Sequence, residues 1–313
     1  ISLISSNPKK NLLLLFFLTI FLGTGISNFK LDASSDTLLL ENDPDLKLFR
    51  ENSEKYGSND FLIVTFTPKD ELLSESSILL IKKIVNEIAS FNRVESVLSL
   101  LDVPLLENNP NISLSDVAEN VETLNSENPN LELAKRVFSS NDVYQNLLIS
   151  EDLNTTAFQV TLKRNINYEN LINQRYAIYD LATPDKEQRL TDINELIEQE
   201  KNMVSIEDEK LVSSMRNLLE SYQNFGEFFL GGGAMITVDT IRFISQDLTV
   251  FGISVLLIFT FVLSFIFRNL IWVFMPLFTA LVTSAICMGL VGWFGWKVTV
   301  VSANFISILM IIS

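Results

Sequence analysis

Three consecutive acids, Glu207-Asp208-Glu209, have the right chemistry to hold a divalent cation. Their spacing argues against it. Successive residues of a helix point in different directions and do not converge on one ion, so the triplet reads as a solvated helix face. The chain contains no His, which removes the commonest general base and the commonest transition-metal ligand. Its single Cys, Cys287, lies inside an apolar run, so neither an internal disulfide nor a Cys-based metal site can form. Pairs such as Glu151-Asp152 have no His, Cys or Lys partner at a telling spacing. The sequence thus points to no catalytic residue, no bound metal and no cofactor, and to a protein that is not an enzyme.

Other motifs carry less. Gly231-Gly232-Gly233 is not a phosphate loop, because no Lys-Ser/Thr pair follows it; it reads as a hinge between a folded domain and a helix. Asn111-Ile112-Ser113 and Asn154-Thr155-Thr156 match the glycosylation sequon, a weak pattern that means something only in a cell with the machinery.

The elements that must position these residues are dominated by apolar runs. Residues 12–27 form one such run, extendable to Phe29 and preceded by Lys9-Lys10. Residues 248–267 are twenty positions without a charge, and 270–294 are a third run containing Pro276. About 20 apolar residues in a helix cross a bilayer's hydrocarbon. Arg268-Asn269 and Gly295-Trp296-Lys297 are the short breaks, and a fourth run starts near Val298 and is unfinished at Ser313. The missing initial Met and this ending predict a fragment of a longer protein. The basic start favours a cytoplasmic N-terminus, with 28–247 outside, Arg268 inside and Lys297 outside as a single exception. A cleaved signal peptide is the competing reading of the first run. Ala280 and Ser284, and Ala285 and Gly289, are spaced four apart, as small residues are where helices approach closely. No Asp, Glu or His lies in any span, so no ion relay is visible; the polar intramembrane positions are Ser302, Asn304 and Ser307.

Charge separates the two kinds of sequence. All 38 acids and 19 of the 23 basic residues lie between Lys30 and Asp247, which leaves that stretch at −19. Such a domain repels nucleic acid phosphates and anionic bilayer surfaces.

Within it, 61–67 is a β-prone run ended by Pro68. Ser74 can cap a helix running to Phe91, with Ile78, Ile81, Ile84, Val85 and Ile88 on one face. Residues 94–100 read as the next strand, completing a β-α-β unit. Residues 155–163 alternate as a third strand, and 227–230 are a fourth, stopped by the three glycines. Helices are expected over 114–124, 131–138 and 185–225, the last broken near Ser205 into a pair. Residues 236–246 are amphipathic and run into the second span as one helix. An α+β sandwich follows, with strands on one side and helices on the other.

This layout resembles the resistance-nodulation-division (RND) superfamily of transporters, in particular its MMPL-like branch. The likeness rests on Tyr56-Gly57-Ser58-Asn59-Asp60-Phe61-Leu62-Ile63-Val64, on Arg93-Val94-Glu95-Ser96-Val97-Leu98-Ser99-Leu100, and on the run from Gly232 through Asp247-Leu248. It rests above all on Phe267-Arg268-Asn269 with Pro276-Leu277, Gly289-Leu290, Gly292 and Gly295, which look like the family's tight hairpin between second and third spans. Each stretch is degenerate, and order and spacing supply the specificity. The helical region 165–225 is larger than a minimal porter subdomain needs, which leaves the substrate class open.

The resemblance implies a partial membrane α-helical bundle carrying an α+β extracytoplasmic porter domain of β-α-β units. Its parts would be a first helix in 1–29, the porter domain in 30–247 and spans two to four in 248–313. It implies an ion-driven exporter of hydrophobic or amphiphilic molecules in a bacterial inner membrane, in contact with lipid and open to homo-oligomers or periplasmic partners. Its coupling residues would lie beyond Ser313. Gly231, Gly232, Gly233, Arg268 and Pro276 are the hinge and structural candidates. Two other readings stay open: a translocation accessory or sterol-sensing protein of the same architecture, and a membrane sensor with an external ligand domain.

Overall fold

A computed structural model describes residues 8–32, 60–106, 122–179 except 127 and 142, 184–299, and the isolated positions 45, 48, 52, 302, 308 and 309. The run Tyr56 to Asn59, the sequon at Asn111, and 114–121 of an expected helix lie outside the described residues, as do Asn304 and Ser307. The chain divides into two compact units, Glu51–Val238 and a second made of Ile1–Arg50 with Asp239–Ser313.

The first unit is built on strands β2 (Phe61–Pro68), β3 (Val94–Leu98), β4 (Thr156–Leu162) and β5 (Gly226–Gly232), which form one sheet in the order β3-β4-β2-β5. All three pairings are antiparallel. β2 and β3 are therefore parallel, with β4 inserted between them. Helix α2 (Glu75–Ala89) connects β2 to β3, and α5 (Lys186–Ser221) is the last helix before β5. This is the split β-α-β-β-α-β arrangement.

Alternation sets the sheet's faces. Leu62, Val64 and Phe66 of β2 and Phe158, Val160 and Leu162 of β4 are buried, while Phe61, Ile63 and Gln159 are exposed. Full burial of each such side chain contributes about 1.5–3 kcal/mol. The covering layer is α2, through Ile78, Ile81, Ile84 and Ile88, and the C-terminal half of α5, through Leu211, Met215 and Leu219. Ser74 starts α2 by accepting the Ser77 N–H at 3.3 Å. Helix α3 (Leu131–Ser140) adds Ala134, Val137 and Phe138 to the same core.

Helix α5 is one piece. The expected break near Ser205 does not occur: the helix runs unbroken for 36 residues. The helix pair forms instead between α4 (Ile166–Tyr179) and the N-terminal half of α5, packed through Ile178, Leu190, Ile193 and Ile197. Pro184 stands before α5, where a proline disfavours helix in the residue preceding it. A serine inside a helix imposes no such constraint, and α5 has an apolar stripe on each half to hold it straight.

The second unit holds α1 (Pro8–Gly23) with a 3-10 turn over Thr24–Asn28, most of α6 (Gly233–Phe267), and α7 (Leu270–Trp293). Two three-residue strands, β1 (Lys30–Asp32) and β6 (Lys297–Thr299), pair in parallel with Lys30 opposite Lys297. Val298, near which the fourth span is expected to start, is held in this ladder, and most of the rest of that run lies outside the described residues.

Candidate functional site

Among the described residues three helices are long and apolar enough to cross a membrane: Lys9–Asn28, Gly233–Phe267 and Leu270–Trp293. Their large side chains are mostly exposed. Leu257, Phe261 and Phe265 of α6 are examples, and so are Phe274 and Phe278 of α7. A helix that is apolar all round and uncovered by protein needs a lipid solvent.

Polar groups in these helices are disarmed locally. The hydroxyls of Thr249, Thr260, Thr279 and Thr283 each donate to the carbonyl four residues back, at 2.6–3.0 Å. In hydrocarbon that is the cheapest way to satisfy a hydroxyl. Ser284, fourth in its expected pair with Ala280, is buried with it, and its hydroxyl has no hydrogen-bond partner among the described residues.

The close approach in this unit runs through glycines. A Cβ added at Gly25 would collide with the Gly289 carbonyl, and one at Gly292 with the Gly25 carbonyl. Trp293 stacks on Phe21 at 5.3 Å and donates from Nε1 to the Phe21 carbonyl at 3.4 Å. Gly289 and Gly292 of α7 thus meet the backbone at Leu22 and Gly25; Ala280 and Ser284 are buried on the same helix, while Ala285 is only half-buried.

The structural candidates fall as follows. Arg268 takes a left-handed backbone (φ 49) and breaks α6 from α7. Asn269 then caps α7, its side chain accepting the Ile271 N–H at 3.1 Å. Pro276 lies inside α7, where it removes one helical hydrogen bond. Ser302 closes a turn: its hydroxyl accepts the Thr299 N–H at 3.0 Å and lies 3.2 Å from the Thr299 carbonyl.

The three glycines are not a loop. Gly231 pairs with Ile63 and Gly232 with Leu62, so β5 extends past its expected end, and Gly233 opens α6. Gly232 has φ 121, and a Cβ there would lie 2.6 Å from the Phe61 carbonyl oxygen. Only glycine fits that turn from strand into helix.

In the first unit, Asp208 accepts from Arg93 Nε at 3.1 Å, and a Glu207 carboxylate oxygen lies 3.8 Å from the same nitrogen. Arg93 also donates to the Lys163 carbonyl, so it ties the start of β3 to the end of β4 and to α5. The acidic triplet therefore splits: Asp208 and Glu207 turn to Arg93 and Glu209 stays exposed. Burial pushes the Asp208 carboxyl above its usual range, with Arg93 pulling the other way. Among the described residues no group of three or more His, Cys, Asp or Glu could hold a metal. Asn154, of the second sequon, donates to Asp152 at 2.9 Å, and Thr156 is buried in β4.

Sequence reasoning could not assemble the Arg93, Lys163 and Asp208 grouping, because its members come from three distant elements. No curated protein matches the chain. Two of the resembling stretches, the run from Gly232 and the hairpin around Arg268, lie inside the region matched by a family model; those at Tyr56 and Arg93 lie outside it. That model is the MMPL family's, and it matches residues 196–313, from within α5 through α6 and α7 to Ser313, so it is the MMPL family that this stretch of the chain resembles.

Proposed function

We propose that the chain is part of an RND/MMPL-type membrane transporter that uses an ion gradient to export hydrophobic or amphiphilic molecules across a bacterial inner membrane. The observation that carries the reading is the family match across 196–313, where α6 and α7, two helices of bilayer length, follow each other in sequence. The sensor reading is weakened by the same feature. Only Arg268 and Asn269 separate α6 from α7, which leaves no room for a signalling domain at that turn.

The mechanism proposed is mechanical. One charge moved across about 100 mV supplies about 2.3 kcal/mol. Helix α6 follows β5 without a loop and continues unbroken to Phe267, so a tilt of its apolar end would be felt at the strand. Gly233 is the pivot. A Cβ added there meets nothing within 4 Å, so Gly233→Val tests stiffness.

The test is transport in proteoliposomes by the whole protein of which this chain is part, with a fluorescent lysophospholipid as probe and a proton or sodium gradient imposed. Movement that stops when ionophores collapse the gradient is expected, and slower movement in Gly233→Val. Movement indifferent to both gradients would overturn ion coupling. No movement of this probe would favour the accessory or sterol-sensing reading.

A further inference from the structure

A cavity of about 640 Å³ opens in the first unit where β4 ends and α4 begins. Its walls carry four cations, Arg93, Lys163, Arg164 and Lys210, against one carboxylate, Glu207. That balance is unexpected in a stretch whose net charge is −19.

The arginines and the acids account for one another. Arg93 holds Asp208 and Glu207. Arg164 grips Glu169 with two bonds, 2.9 Å from Nε and 2.5 Å from the terminal nitrogen. Glu95 and Asp60 act electrostatically on Arg164 and Asp208 respectively. What remains is Lys163 from the end of β4 and Lys210 from α5, neither with a side-chain ion-pair partner among the described residues. Asn92, Asn167 and Ser214 add neutral hydrogen-bonding groups to the same walls, and Phe91 and Leu211 an apolar floor.

We propose that this cavity binds an anionic ligand bearing a phosphate or carboxylate group, held between the ammonium groups of Lys163 and Lys210. Both lysines line the cavity, so an anion held there can meet two cations that carry no other ion pair among the described residues. The acidic surround does not cancel this, because exposed charges beyond about 8 Å are largely screened at physiological salt. The cavity exceeds a bare phosphate, so the ligand has a body as well as a charged group. The proposal stands apart from the transport reading and survives its failure.

The test is equilibrium dialysis of the full chain in phosphatidylcholine nanodiscs against labelled pyrophosphate, citrate and dihexanoyl phosphatidylglycerol. The expected result is saturable binding of at least one, weakened about tenfold by Lys163→Gln and by Lys210→Gln, a loss of about 1.4 kcal/mol for the removed charge-assisted bond. Lys163→Arg and Lys210→Arg should retain it, and Lys83→Gln, away from the cavity, should not affect it. Preference for the lipid over pyrophosphate and citrate would identify a headgroup, and the reverse a soluble anion. No binding of any of the three, or equal binding by the Lys163→Gln/Lys210→Gln double variant with its circular dichroism unchanged, would overturn the proposal.

Discussion

Helices α5 and α6 are 36 and 35 residues long and are joined by a short turn and one seven-residue strand, yet they treat apolar side chains in opposite ways. α5 is highly charged and hides a narrow stripe: Leu190, Ile193 and Ile197 against α4, then Leu211, Met215 and Leu219 against the sheet. α6 buries none of its most apolar window and exposes Leu257, Phe261 and Phe265. Apolar burial therefore means contact with protein in one helix and contact with lipid in the other. The lesson is that exposure alone does not mark a liability; the solvent that the sequence demands decides.

The largest way to test the protein-solvated side is to empty its core. Phe158 is fully buried at the centre of β4, opposite Val64. Phe158→Ala should cost about 3–5 kcal/mol, read as a lower unfolding midpoint of the first unit. An unchanged midpoint would mean the sheet is not the core that the burial pattern implies.

The next test sets the two solvents against each other. Leu257→Arg places a charge in the centre of the uncharged run of α6, where insertion costs rise by about 2.5–3.5 kcal/mol. Ile206→Arg places the same charge on an equally exposed site of α5, 52% against 65%, where a surface change is worth within about 0.5 kcal/mol. Membrane-fraction yield should fall sharply for the first and hold for the second. Equal losses would erase the distinction between the helices.

A smaller effect is expected at the junction. Gly232→Ala must hold a side chain at φ 121 against the Phe61 carbonyl, a strain of about 1–3 kcal/mol. Gly233→Ala, with open space around it, should cost much less in the same thermal unfolding measurement. Similar losses at both would place the constraint elsewhere.

Local signals carried most of the elements. Ser74 with its row of isoleucines marked α2, alternation marked β4, and the amphipathic stretch 236–246 together with the uncharged runs marked α6 and α7 to within a few residues. What was hidden required partners distant in sequence. Nothing in residues 156–162 says that they insert between β2 and β3, because strand order depends on non-local pairing. A three-residue strand such as β6 has too few positions to show a period, so its ladder with β1 left no trace. A break was expected in α5, where there is none, because a helix that changes partners halfway, from α4 to the sheet, looks like two amphipathic pieces. The cavity between Lys163 and Lys210 was illegible for the same reason as the strand order.

The smallest effect separates the helices by pH. α5 carries Asp208 on a face sheltered by Arg93, whereas residues 248–267 of α6 carry no ionisable group. Burial raises the Asp208 carboxyl above its unfolded value, so the folded state binds its proton more tightly than the unfolded state does. Acidification through that raised range should therefore stabilise the first unit slightly, and the gain should fade as pH rises past it. Asp152 works in the opposite sense. Hydrogen bonds from Ser150 and Asn154 hold it below the usual carboxylate range, so its contribution is lost only at lower pH. Between the two, the unfolding midpoint should pass through a shallow maximum. Asp208→Asn should flatten its alkaline side, because the neutral amide has no proton to lose. A variant that keeps that slope would show that another carboxylate, and not the one under Arg93, senses the change.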